Sequence, residues 1–115
     1  MSFDHHGFVV IDKPENMTSA RVVSVVKGVL GAGKVGHAGT LDPFATGVMI
    51  CCVNRATRLA RFFLGGDKTY EGLLQLGLET DTQDATGQIT SEHRVPAFSE
   101  TEIQDVFRKF FQLLL

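Results

Sequence analysis

Residues 36–47 read GHAGTLDPFATG and hold a single carboxylate, Asp42, between Leu41 and Pro43; four of the twelve residues are Gly or Pro. Pro43 disfavours helix at Asp42, and the glycines let the backbone turn sharply and come close to a ligand. The segment therefore reads as a shaped loop. The apolar run at 48–53 that follows has the length of a buried strand, so the loop is braced at one end and its carboxylate can be aimed. Taken alone, an Asp before Pro is most often a turn former that hydrogen-bonds its own backbone.

On the N-terminal side, residues 7–11 form a short apolar run stopped by Asp12, Lys13 and Pro14, which reads as a strand entering a turn. By itself Lys13 is a solvated lysine. Thr18 or Ser19 can cap a helix over 20–30, where Val22, Val23, Val26, Val29 and Leu30 make a core stripe that Gly31 and Gly33 end. Residues 28–34, GVLGAGK, imitate the first seven positions of a P-loop. A P-loop, however, has a strand before its glycines, a helix after its lysine and then Ser or Thr for magnesium. Here a helix precedes and Val35 follows. Nucleotide hydrolysis is not expected, and Lys34 is left for phosphate contact or solvent.

On the C-terminal side, Asn54 can cap a short helix to Leu64 with Leu59, Phe62 and Phe63 facing inward, while Arg55, Arg58 and Arg61 recur every three residues and share a basic face. Such a face suits phosphate contacts. Residues 68–78 alternate with a period of two, which predicts a strand opening at Tyr70. Residues 79–92, ETDTQDATGQITSE, are a polar loop with a short strand at 87–90. Their acids do not fit the twelve-residue calcium pattern. Ser99 and Glu102 form a capping box ahead of an amphipathic helix whose stripe is Ile103, Val106, Phe107, Phe110, Phe111 and Leu114.

With 115 residues, 43% of them apolar and 21% charged, the chain is one domain at most. No run approaches the roughly 20 apolar residues of a membrane span, and MSFDHHG lacks the regions of a signal peptide. A cytoplasmic protein without membrane contact is expected. Cys51 and Cys52 are adjacent in the predicted strand and face opposite sides, so neither a disulfide nor a metal site is indicated. The net charge of -2 argues against a generic nucleic-acid binder. The charge is nevertheless split: residues 1–62 carry seven Lys/Arg against four Asp/Glu, and residues 63–115 four against nine. The basic half contains the Asp42 loop.

Four blocks, GFVVIDKP, GHAGTLDPFATG, DKTYEGLLQLG and TDTQDATGQI, lie in an order and spacing that resembles the TruB family of tRNA pseudouridine synthases from residue 7 to about 110. The resemblance implies an α+β fold built on a mixed, largely antiparallel sheet with packed helices. It implies isomerisation of uridine to pseudouridine in the T-loop of tRNA, at the position usually numbered 55, with Asp42 as the nucleophile. No cofactor or metal is implied, and the partner is the tRNA T-stem-loop. Tyr70 matches the tyrosine that packs against the target uracil, and a flipped base needs such a surface. His37 matches the histidine that fills the gap left by the flipped base. Asp84 matches an acidic position near the nucleotide, and Lys13 a position near the active site. The arginine that pairs with the nucleophile comes from a later part of family members, and none of Arg55, Arg58 and Arg61 matches its motif. The pattern departs at about Phe110. The chain is accordingly expected to be the first part of a catalytic domain, truncated near 110, and to self-associate through its last helix. A non-catalytic RNA-binding remnant and a relative of the guide-RNA-dependent synthases are the alternatives.

Overall fold

The central strand of the fold, β3 at Gly47–Val53, is the apolar run that follows the Asp42 loop. In the computed structural model, which describes residues 4–114 and the side chains through 113, the chain divides after Tyr70 into two compact units. Met1, Ser2, Phe3, Leu115 and the side chain of Leu114 lie outside the described residues.

In the first unit, β1 (Gly7–Lys13) pairs with β3 along its full length, from Gly7 opposite Val53 to Lys13 opposite Gly47. The short β2 (Val35–His37) pairs with the other edge of β3, giving the order β1-β3-β2. Both pairings are antiparallel. One face is covered by α1 (Ser19–Leu30), with Val22, Val26, Met49 and Cys51 buried at the centre and Val9, Ile11, Met17, Val23, Leu30, Val35 and Leu41 packed around them. Thr18 is the cap: its hydroxyl accepts the Arg21 N–H at 3.0 Å, and Gly31 ends the helix at φ 63°. Val29 departs from the expected stripe and is 81% exposed, because the packed face runs from Val22 and Val26 toward Val23 and Leu30 and residue 29 falls on the other flank. Between Gly28 and Lys34 the order is helix, turn, then strand, the reverse of a P-loop.

On the central strand β3, Cys51 and Cys52 point to opposite faces, and both are fully buried free thiols. Burial pushes both thiols above their ordinary range, and for Cys51 the neighbouring Cys52 adds to the effect. After β3 the expected single helix is a 3₁₀ turn at Asn54–Leu59 followed by α2 at Ala60–Leu64. The tighter 3₁₀ winding rotates the apolar positions out of phase. Leu59 and Phe62 consequently point to solvent, and Phe63 alone of the three turns inward, edge-on to Phe8 at 4.9 Å between ring centres.

The expected strand at 68–78 does not form over most of its length. Only Leu78–Thr80 (β4) is paired, antiparallel to β5 at Ile89–Glu92, with a bulge between Glu79 and Thr80. Alternation fits a strand, but a strand exists only when its N–H and C=O groups find a neighbour, and residues 68–76 have none among the described residues. Leu73 and Leu74 are accordingly exposed. The second strand starts at Ile89 rather than at 87, because the backbone of residues 82–87 is turned around Asp84. In α3 (Glu100–Leu114) the capping box is present: Ser99 N–H donates to Glu102 Oε2 at 2.9 Å, and Glu102 N–H donates to Ser99 Oγ at 3.2 Å. Every described side chain of α3 is exposed, the apolar stripe included. The fold is α+β.

Candidate active site

Asp42 begins a turn. Its carbonyl accepts the Ala45 N–H at 2.9 Å, with Pro43 at the second position, where its fixed φ suits the geometry. The turn is closed by backbone alone: the Asp42 carboxylate makes no hydrogen bond or ion pair among the described residues, and the residue is exposed. An ordinary turn-forming Asp spends its side chain on its own backbone. This one does not.

The residues on either side are pinned to the core. Ser19 is buried, and its hydroxyl both donates to the Leu41 carbonyl at 2.9 Å and accepts the Leu41 N–H at 3.0 Å. The Pro43 carbonyl accepts the Asn16 N–H at 2.7 Å and the Lys13 ammonium at 3.0 Å. Lys13 is not the solvated lysine that its sequence context suggests. It is fully buried, and its ammonium also donates to the carbonyls of Pro14 at 2.9 Å and Met17 at 2.7 Å. Three donors on three carbonyls satisfy the buried charge and leave it nothing with which to hold a ligand.

On the incoming side of the loop, His37 at the end of β2 lies with its Nδ1 2.6 Å from the Gly39 carbonyl. A carbonyl only accepts, so Nδ1 carries the proton in this bond and Nε2 is left as the second ring nitrogen. Gly39 sits at φ 102°, a backbone state that L side chains rarely adopt. The stem of Lys68 passes beside Gly39, with Cε 3.9 Å from where a Cβ would stand, while its ammonium donates to the carbonyls of Phe63, Leu64 and Gly66. Lys68 therefore ties the end of α2 to the loop. Sequence reasoning missed Ser19 and Asn16 as supports, since Ser19 next to Thr18 carries only the signal of a helix cap.

A family model described as TruB family pseudouridylate synthase (N terminal domain) matches residues 27–112. The chain belongs to the TruB family. It is 51% identical over 104 residues to a tRNA pseudouridine synthase B of Syntrophobacter fumaroxidans, a match that takes in 89% of this chain and 33% of the relative. It is 46% identical over 108 residues to the protein of the same name from Synechococcus sp. (strain WH7803), covering 94% of this chain and 36% of the relative. For the Bordetella avium protein of that name the figures are 42% over 106 residues, 90% and 43%. The TruB chain described here thus spans about a third of the length of the first two relatives and under half of the third.

Two further residues matched to TruB positions are placed differently from Asp42. Tyr70 is 72% exposed in the irregular segment after α2, and its side chain makes no hydrogen bond or ring contact among the described residues. Asp84 belongs to the second unit. Its Oδ1 accepts from the hydroxyls of Thr86 and Thr82 and from the Thr86 N–H, at 2.5, 2.8 and 2.9 Å. The Thr86 hydroxyl above all, then Thr82 and the Thr86 N–H, hold the Asp84 carboxyl below its ordinary value. That oxygen organises its own loop. Among the described residues no three His, Cys, Asp or Glu side chains gather as a metal ion would need, and no helix is long and apolar enough to cross a membrane.

Proposed function

We propose that this chain carries the nucleophile-bearing part of an enzyme that isomerises uridine to pseudouridine in the T-loop of tRNA, and that Asp42 is the nucleophile. The observation that carries this is the state of Asp42: an exposed carboxylate with no hydrogen bond of its own, on a loop whose neighbouring residues are fixed by Ser19 and by Lys13 with Asn16. A nucleophile needs a fixed backbone and an unspent side chain. The names of the relatives support tRNA as the substrate.

In this reading the carboxylate attacks either the anomeric carbon of the ribose or the uracil ring. The glycosidic C–N bond breaks, the uracil turns, and carbon 5 bonds to the anomeric carbon as the Asp42 carboxylate is released; the proton lost from carbon 5 is balanced by one taken up at the freed N1. Tyr70 supplies a face for the flipped base, and His37 enters the space the base vacates. Lys13, matched to a position near the active site, serves in this reading as a support of the loop. Asp84 orders the loop of the second unit, and its remaining oxygen is the part left for a nucleotide.

The chain is also read as an incomplete catalytic domain, in keeping with relatives about three times its length. By itself it should bind tRNA weakly and show no turnover, because a cation for Asp42 is not supplied by the described residues. The test is a chimera in which this chain is joined in register to the remainder of the Syntrophobacter fumaroxidans protein. Asp42→Asn should abolish pseudouridine formation on a T-stem-loop while hairpin binding changes little, the mark of an interaction made only in the reaction. Turnover within a factor of a few of the parent chimera would overturn the assignment.

A further inference from the structure

The two neighbours of Asp42 are held from one stretch of chain, residues 13–19. Lys13 and Asn16 donate to the Pro43 carbonyl, and Ser19 engages both backbone groups of Leu41. Within that stretch two adjacent hydroxyls divide the work. Thr18 is exposed, and its oxygen accepts the Arg21 N–H and caps α1. Ser19, the first residue of α1, is 4% exposed and makes its two bonds to Leu41 and no other among the described residues. A serine at the start of a helix ordinarily spends its oxygen on the N–H groups of that helix. With Thr18 in that place, Ser19 is released to the loop.

The form of the contact matters. One O–H donor and one oxygen lone pair meet the carbonyl and the N–H of a single residue, the same exchange that a paired residue makes in an antiparallel ladder. Two bonds on one residue fix its orientation, where one bond would let it swing. Beyond Asp42, the ring of Pro43 fixes φ, and the Ala45 N–H closes the turn on the Asp42 carbonyl. The Asp42 carboxylate has no hydrogen bond or ion pair of its own among the described residues, so its aim is set by the backbone alone. Any swing of Leu41 is passed straight to the carboxylate.

We propose that Ser19 is a positioning residue for the chemical step: by holding Leu41 through both backbone groups, it sets where the Asp42 carboxylate stands relative to the reacting nucleotide. The proposal rests on the reading of Asp42 as the nucleophile. Ser19 is buried and its hydroxyl is spent on Leu41, so it acts through the loop and not on the RNA. Its loss should therefore appear in kcat and leave KM alone.

The test uses the chimera with the Syntrophobacter fumaroxidans remainder and measures single-turnover and steady-state pseudouridine formation on a T-stem-loop. Ser19→Ala removes the hydroxyl, and Ser19→Cys keeps the size of the side chain with only a weak donor. Each should lower kcat by roughly 10²-fold, the scale of a misplacement of about 1 Å at a reacting group. KM should stay within about twofold of the parent value. Ser19→Thr retains the hydroxyl and should recover most of the rate. Thr18→Ala is the matched control: it removes the cap of the same helix one residue away but no bond to Leu41, so its kcat should equal that of the parent. Circular dichroism melting sets a temperature at which every variant is folded, which separates lost aim from lost fold. A parental kcat in both Ser19→Ala and Ser19→Cys, a loss carried by KM, or an equal loss in Thr18→Ala would each overturn the proposal. Turnover in the Asp42→Asn chimera would instead mark failure of the catalytic reading. An inactive Asp42→Asn beside a parental Ser19→Ala would mark failure of this proposal alone.

Discussion

The Lys13 ammonium donates to the Pro43 carbonyl across thirty residues of sequence, at 3.0 Å, so a buried cation fixes the residue that follows the candidate nucleophile. This bond reverses the first reading of Lys13. If the side chain held substrate, removing its charge would affect binding and leave stability alone. Because it is buried on three carbonyls, Lys13→Met should instead destabilise the chain by about 2–4 kcal/mol, since the Pro14 and Met17 carbonyls lose a charged donor inside the fold. Urea unfolding of the two proteins measures this. Equal midpoints and slopes would return Lys13 to the surface.

Ser19 acts on the other flank. Its hydroxyl satisfies both backbone groups of Leu41, so Ser19→Ala should leave two groups of a half-buried peptide unpaired at a cost of about 1–3 kcal/mol. Hydrogen exchange at the Leu41 N–H should quicken in the alanine variant and stay slow in Ser19→Thr, which keeps the hydroxyl. Exchange that is fast in the parent protein would show that the clamp is not formed.

These two supports mark how far the sequence could be read. The strands at β1 and β3, the helix at α1 and the capping box of α3 were legible because each rests on local signals: apolar runs, a cap beside a stripe, Ser99 with Glu102. The shape of residues 36–47 was legible from Pro43 and its glycines. Lys13 and Ser19 were not, because their partners are 30 and 22 residues away and nothing in a single sequence reports a bond to a distant carbonyl. The run at 68–78 failed for the opposite reason. Its alternation is a genuine strand pattern, but pattern specifies a face and does not supply the neighbour that would pair with it.

Asp84 should make the second unit sensitive to acid. Its carboxyl is held below the ordinary value of 3.8, so the charged form contributes stability at pH above that value. The contribution is lost as the pH falls below 3.8 and through the lower folded-state value. Asp84→Asn should remove this pH dependence, leaving the Thr86 N–H equally unprotected in hydrogen exchange on both sides of that range. A parent protein whose Thr86 protection is flat across the range would contradict it.

Ile103, Val106, Phe107, Phe110 and Phe111 lie on one stripe of α3 and are all exposed, from 39% at Ile103 to 65% at Phe111. A helix of this length holds in water mainly by packing its apolar face, so the stripe should find one, and in the purified chain another copy is the available source. Light scattering of the 115-residue chain should therefore show a mass above the monomer that rises with concentration. Phe110→Glu places a charge in the middle of the stripe and should lower that mass at equal concentration. It should leave the urea midpoint of the first unit unchanged, because the core around Val22, Val26, Met49 and Cys51 contains no residue of α3. A monodisperse monomer at every concentration would show that the stripe is tolerated in solvent, and an unaltered mass in Phe110→Glu would move the association to another surface.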